Sequence, residues 1–371
     1  MGTAVALILL ALGPAGCVRP GVVESTAGGQ PALARRIVLA GVRQTRPGVG
    51  VPGRLDHLAY DAGTSRLFVA ALENGSLEVV DLAAGRRVRS IGDLHLPQGV
   101  AVVPAHHSIA VACGGDGTLH VFDSRSLEEG HTLYVGPDAD NVRYDAGSDT
   151  LWVAYGGATS GAIAGYGPRA WNRLCEIPFG SHPESFQLEP NGARLFANLP
   201  KGVRAVEDGS VAVAGRRNCQ IQTVIPLAGR ARNFPLAFDA GCQRLFIASR
   251  RPARLIVIDT QRGAIIAEAP CIDDSDDLFY DARTGRVLVI GGGFRPDLQE
   301  PGTASPCSPP GEMGALEVFA VSRSGQLTHL STTPTAPHAR TGLLVPSRHA
   351  IYIAVPFRGD TEAEIREYRL D

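Results

Sequence analysis

Seven twelve-residue segments share one pattern, and that repetition limits the chain to very few folds. They read "HLAYDAGTSRLF" (57–68), "GVAVVPAHHSIA" (99–110), "NVRYDAGSDTLW" (141–152), "SFQLEPNGARLF" (185–196), "PLAFDAGCQRLF" (235–246), "DLFYDARTGRVL" (277–288) and "TGLLVPSRHAIY" (341–352). Each is an apolar run, a turn and a second apolar run. The turn carries Asp at its first position (Asp61, Asp145, Asp239, Asp281) or Pro at its second (Pro104, Pro190, Pro346), the two preferences of a type I β-turn. Each segment is therefore a β-hairpin, and a hairpin cannot bury its own faces. A periodic series of them must stack on itself.

Third strands follow as "SLEVVD" (76–81), "TLHVFD" (118–123), "RLIVID" (254–259) and "ALEVFA" (315–320). Asn74-Gly75 and Asp116-Gly117 lead into the first two and suit tight β-connections. "RRVRSI" (86–91) and "AIIAEA" (264–269) read as fourth strands. Where nothing is inserted the period is about 42 residues, that of a propeller blade. The seventh unit ends in its third strand, "EIREYRLD" (364–371), and "RRIVLAGV" (35–42) supplies the missing fourth, closing the ring through the two termini. Closure of this kind removes exposed sheet edges. The expectation is an all-β chain. Residues 34–371 form one seven-bladed β-propeller with four-stranded blades, with a tether at 18–33 before it and an insertion at 294–313 in blade six. With 44 Gly, 26 Pro and a formal charge of −2, the composition suits a soluble all-β protein. Its basic residues include a single lysine, Lys201, and the arginines are scattered, which argues against nucleic acid as a partner. A monomer is expected.

The repeats carry "LFVAAL", "LEVVD" and "LIVID" where WD40 blades carry Gly-His and Trp-Asp marks. In this they resemble the bacterial YVTN/YncE-type β-propeller family over nearly the whole mature chain. The resemblance implies the fold and says little about activity, because many members of that family have no established one. The apolar stretch from Thr3 to Leu12 is too short to span a bilayer and fits the core of a secretory signal. Pro14-Ala15-Gly16-Cys17 resembles a bacterial lipobox, which implies a signal at 1–17, lipidation at Cys17 and a periplasmic, membrane-anchored protein. Six cysteines remain, Cys113, Cys175, Cys219, Cys242, Cys271 and Cys307, an even number that permits disulfides in an exported chain. Cys271–Cys307 on the channel-mouth face and Cys219–Cys242 on the opposite face are the expected pairs, with reduced thiols as the alternative.

The residue before each repeat stands at the mouth of an innermost strand. These are Asp56, Gln98, Asp140, Glu184, Phe234, Asp276 and Arg340. With His57, Asn141, His182, Asn233 and Asp277 beside them, they form the candidate binding site at the channel mouth. Two readings stand. In one the mouth is a wet polar lining in which Arg340 neutralises Asp276 and Asp56. In the other Asp56, Asp140, Glu184 and Asp276 converge on the axis, where crowded carboxylates must take up protons or bind a cation. Oxygen ligands with Asn233 nearby suit a divalent ion such as Ca²⁺. The layout is similar to gluconolactonase- and regucalcin-type propellers, which take metal ligands from corresponding positions. Asp273 and Asp274 are expected to be solvated rim charges.

The sequence holds no Gly-x-Ser-x-Gly elbow, His-Glu-x-x-His pair or phosphate-binding glycine loop. The leading reading is therefore a scaffold that binds a small ligand or a periplasmic protein. The alternative is a metal-dependent lactonase-like hydrolase with Asp276 or His57 as proton acceptor.

Overall fold

A computed structural model describes residues 29–43, 53–157, 159–200, 207–294 and 313–371. The first strand among the described residues is β1 (Ala32–Val38). Blade one is β2 (Leu58–Asp61), β3 (Arg66–Ala71), β4 (Ser76–Asp81) and β5 (Arg86–Ile91). Blade two is β6 (Pro97–Val103), β7 (Ser108–Cys113), β8 (Thr118–Asp123) and β9 (Glu129–Tyr134). Blade three is β10 (Val142–Asp145), β11 (Thr150–Gly156), β12 (Gly161–Gly167) and β13 (Asn172–Phe179). Blade four is β14 (Phe186–Leu188), β15 (Arg194–Leu199), β16 (Ser210–Gly215) and β17 (Gln220–Pro226). Blade five is β18 (Ala231–Asp239), β19 (Arg244–Arg251), β20 (Ala253–Asp259) and β21 (Ala264–Pro270). Blade six is β22 (Ser275–Asp281), β23 (Arg286–Gly291), β24 (Ala315–Val321) and β25 (Leu327–Pro334). Blade seven is β26 (Thr341–Val345), β27 (Ala350–Val355) and β28 (Glu364–Arg369), completed by β1. Among the described residues the only helical turns are two 3₁₀ turns, and no helix is long and apolar enough to cross a membrane.

The turn chemistry is what the repeats encode. Asp61 accepts from the Gly63 N–H at 2.9 Å and from the Thr64 hydroxyl at 2.8 Å, and Asp145, Asp239 and Asp281 do the same work in their blades. Pro104 and Pro346 instead open one-turn 3₁₀ helices. Six of the seven hairpins then place a left-handed residue just before the second strand: Ser65, His107, Asp149, Gln243, Gly285 and His349.

Packing runs between blades. Leu77 and Val79 of blade one meet Val100 and Val111 of blade two, and equivalent apolar clusters fill each later interface round the ring. The last is closed by β1. It pairs antiparallel with β28, Ile37 opposite Ile365, and sends Ile37, Leu39 and Val42 into the blade seven–blade one core. The closing strand thus begins at Ala32, within the expected tether. One cysteine expectation is overturned. Cys219 is bonded to Cys175, not to Cys242, across blades three and four, with 5.9 Å between Cα atoms. Both cysteines lie near the start of fourth strands, so neighbouring blades bring them together, a distance the sequence spacing of 44 conceals. Cys17, Cys307 and most of the blade-six insertion lie outside the described residues.

The charged channel mouth as candidate functional site

Each innermost strand begins at the same end of the ring, so residues just before or at its start gather round one axis. Two halves result. On the side of blades five to seven the acids are held by arginines. Arg340 donates from Nη1 to both oxygens of Asp274 at 3.1 Å, and its Nε lies 2.8 Å from Asp276. Arg250 reaches Asp274 at 3.0 Å and Asp276 at 2.5 Å, with its guanidinium 4.1 Å from the centre of the Phe234 ring. Arg54 lies 2.8 Å from Asp56 and 3.8 Å from Asp276. The Arg54–Asp56 and Arg340 Nε–Asp276 contacts are close ion pairs without hydrogen-bond alignment. Burial works against the Asp276 carboxylate, yet Arg340, Arg250 and Arg54 outweigh it and lower its pKa to about 2. For Asp56 burial wins over Arg54 and His57, and the pKa rises to about 6.

Asp273 and Asp274 are not solvated: both are almost wholly buried, at 0% and 3% exposure. The polypeptide turns inward here, with Asp274 at φ 51°, and two arginines from other blades make burial of its charge tolerable. Arg54 and Arg250 were not foreseen. Arg54 left a signal, standing two residues before Asp56 where an extended chain repeats its facing. Arg250 left none, because it comes from the far end of β19.

The side of blades one, three and four uses histidine. His57 lies 3.6 Å from Asp277 and 3.8 Å from both Asp56 and Asp140. Burial works against its cation, but these three acids, Asp277 foremost, raise its pKa to about 10. His182 sits 3.7 Å from Asp140 and 3.8 Å from Asp138, and its Nδ1 is 3.0 Å from the Gly156 carbonyl oxygen. Its pKa also rises to about 10, burial being outweighed by Asp140 and Glu184. Asp140 is held below its ordinary value, burial being outweighed by His182 and His57. Burial, only partly offset by His182, pushes Glu184 up to about 7. Gln98 donates to Asp138 at 2.9 Å. Asp277 accepts from the Gly342 N–H at 2.9 Å. Asn141 is buried, and its main-chain carbonyl oxygen accepts from the Ala154 N–H at 2.8 Å. Asn233 does not serve the mouth. It is fully buried and donates to Asn198 and Ser210 at 3.0 Å, tying blade five to blade four.

The four-carboxylate cation set therefore divides. Asp56 and Asp276 are taken up by arginines. Asp140 and Glu184 remain and are joined by His182, with one ligand atom from each of the three lying within 4.8 Å of the others. An imidazole with two carboxylates suits a borderline ion such as Zn²⁺ better than the all-oxygen shell of Ca²⁺. His182 must give up its proton to serve, so binding would release one.

Below the mouth lies a cavity of about 680 Å³ along the axis. His57 and Asp277 form its upper end, and Leu58, Tyr60, Val102, Arg143, Phe279 and Leu343 line it further down.

No family model matches the sequence, and no curated protein does. Solved structures do. The chain is similar to one titled Kuenenia stuttgartiensis hydrazine synthase, at 16% identity and a TM-score of 0.70, over 88% of this chain and 98% of that one. It is also similar to a chain of a mitotic checkpoint complex, at 13% identity and a TM-score of 0.67, over 100% and 99%. At such identities the likeness shows the seven-bladed propeller and nothing about chemistry.

Proposed function

We propose that this chain is an exported binding propeller of the YVTN/YncE type that recognises its ligand at the channel mouth through a divalent cation held by Asp140, His182 and Glu184. The carrying observation is the convergence of these three donors from blades three and four, beside acids already neutralised by arginine. The Cys175–Cys219 disulfide suits an oxidising compartment, and the Thr3–Leu12 stretch with Cys17 supplies the export signal and lipid anchor. Its partner would be a small ligand or another periplasmic protein.

The test is metal content and melting temperature, with and without chelator. One equivalent of ion that raises the melting temperature and is lost in Glu184→Gln and His182→Asn supports the proposal. No bound ion and no response to chelator would sink it and leave the mouth a polar lining.

The hydrolase reading has one observation in its favour, since three protein ligands leave coordination positions open. Against it stand the two expected proton acceptors. Asp276 is too weak a base, and His57 is held as a cation.

A further inference from the structure

The cavity beneath the mouth carries a charge that the protein does not match. It is framed by the inner strands of six blades and runs from His57 and Asp277 to the exposed turn residues Pro104, Ala105 and Ala146 at the opposite end. Those turns give access from the face away from the mouth. At about 680 Å³ it falls within the roughly 300–1,000 Å³ of small-molecule sites. Tyr60, Val102, Phe279 and Leu343 on its wall are only half-buried, so apolar surface faces the lumen and would gain by being covered.

Arg143 stands on this wall, on β10. Its Nη1 donates to the neighbouring Val142 carbonyl at 2.9 Å, and its guanidinium lies 5.8 Å from the Phe186 ring centre. Among the described residues no carboxylate comes within ion-pairing distance of it, whereas Arg54, Arg250 and Arg340 each have two. Burial holds its pKa below the ordinary arginine value, although Asp277 and Asp140 pull the other way. Asp277, the carboxylate that also lines the cavity, is already engaged by the Gly342 N–H and faced by His57. The unmatched charge of the lumen is therefore positive.

We infer that the lumen binds a small organic anion with an apolar body, its acidic group paired with Arg143 and its body lying against Tyr60, Val102, Phe279 and Leu343. This site lies beneath the mouth, shares only His57 and Asp277 with it, and does not depend on a cation there.

The test uses the full chain after chelator treatment, so that a cation at the mouth cannot contribute. Binding of anilinonaphthalene sulfonate is followed by fluorescence beside neutral N-phenylnaphthylamine, which has the same aromatic body without the sulfonate. One saturable site for the anion is expected. Arg143→Gln should weaken it at least about tenfold, as loss of a charge-assisted contact does. The neutral compound should change less than about twofold, Arg143→Lys should retain most of the anion's affinity, and Leu343→Trp should block both compounds. If Arg143→Gln does not fold, the wild type still decides: the anion must bind at least about tenfold more tightly than the neutral body, with Leu343→Trp removing that preference. No saturable binding of the sulfonate, or equal weakening of both compounds by Arg143→Gln, overturns the inference.

Discussion

Asp274 shows how a single residue can be misplaced by its neighbours in sequence. In "CIDDSDD" it stands among four aspartates, and a run of acids before a strand reads as solvent-facing. What buries it is Arg340, 66 positions away, together with Arg250. Removing one member of a buried ion network leaves the others without compensation, so Asp274→Ala should cost about 3–5 kcal/mol in denaturant unfolding, while Glu128→Ala at an exposed loop residue should cost far less. The histidines set a pH dependence of definite sign. His57 and His182 have folded values of about 10 against an ordinary 6.5. Their stabilising effect is therefore complete below pH 6.5 and disappears as pH rises through 10. The melting temperature of the metal-free protein is expected to fall between pH 7 and 10, and to fall less in a His57→Asn, His182→Asn double variant. An unchanged slope in that variant would assign the alkaline loss to other groups. Most of the mouth was legible as positions: Asp56, Asp140, Glu184 and Asp276 do gather there. Their pairing was not, because the partners sit at strand ends whose convergence only the closed ring defines.

At the scale of the strand and its turn, sequence and structure agree closely, because the signals are local. Asp or Pro at fixed positions sets each hairpin, and the left-handed residue recurs at the same place in six of seven. Strand ends shift by a few residues, as β1 does by beginning at Ala32. Close approach between blades is less visible. A Cβ on Gly99 would lie 1.8 Å from the carbonyl oxygen of Asp140 and 2.9 Å from Val142, so blades two and three pack backbone to backbone where the mouth begins. The obstacle is main chain and cannot swing aside. Gly99→Ala is therefore expected to destabilise by about 1–3 kcal/mol and, by pushing β10 away, to weaken cation uptake at Asp140. Stability and metal affinity would fall together in this variant, whereas Glu184→Gln should lower only the affinity. Equal melting curves for Gly99→Ala and wild type would mean that the two blades part at little cost.

For the whole molecule the decisive fact is that every blade is covered only by its neighbours. An open stack of repeats has ends and unravels from them, but here β1 and β28 join the first and last parts of the chain, and the blade seven–blade one core has the same character as the others. This closure was readable in the sequence as a count, since the seventh repeat lacks one strand and the N-terminal segment has one to spare. The central cavity was not, because its volume depends on side chains from six blades meeting across an axis. If the ring is one cooperative body, a defect at the closure should lower the stability of all seven blades at once. Ile37 is 1% exposed in the closing core, so Ile37→Ala should cost about 2–5 kcal/mol. Ile221, 40% exposed on the outer strand β17, provides the control, and Ile221→Ala should stay within about 0.5 kcal/mol of wild type. The informative readout is the shape of the unfolding curve, followed by both tryptophan fluorescence from Trp152 and Trp171 in blade three and far-ultraviolet circular dichroism. A single transition that moves to lower denaturant with unchanged steepness, coincident by both probes, means that blade three responds to damage at the seam on the other side of the ring. An early loss of circular dichroism with the tryptophan signal unmoved would mean that blade seven frays alone and the ring unfolds in parts.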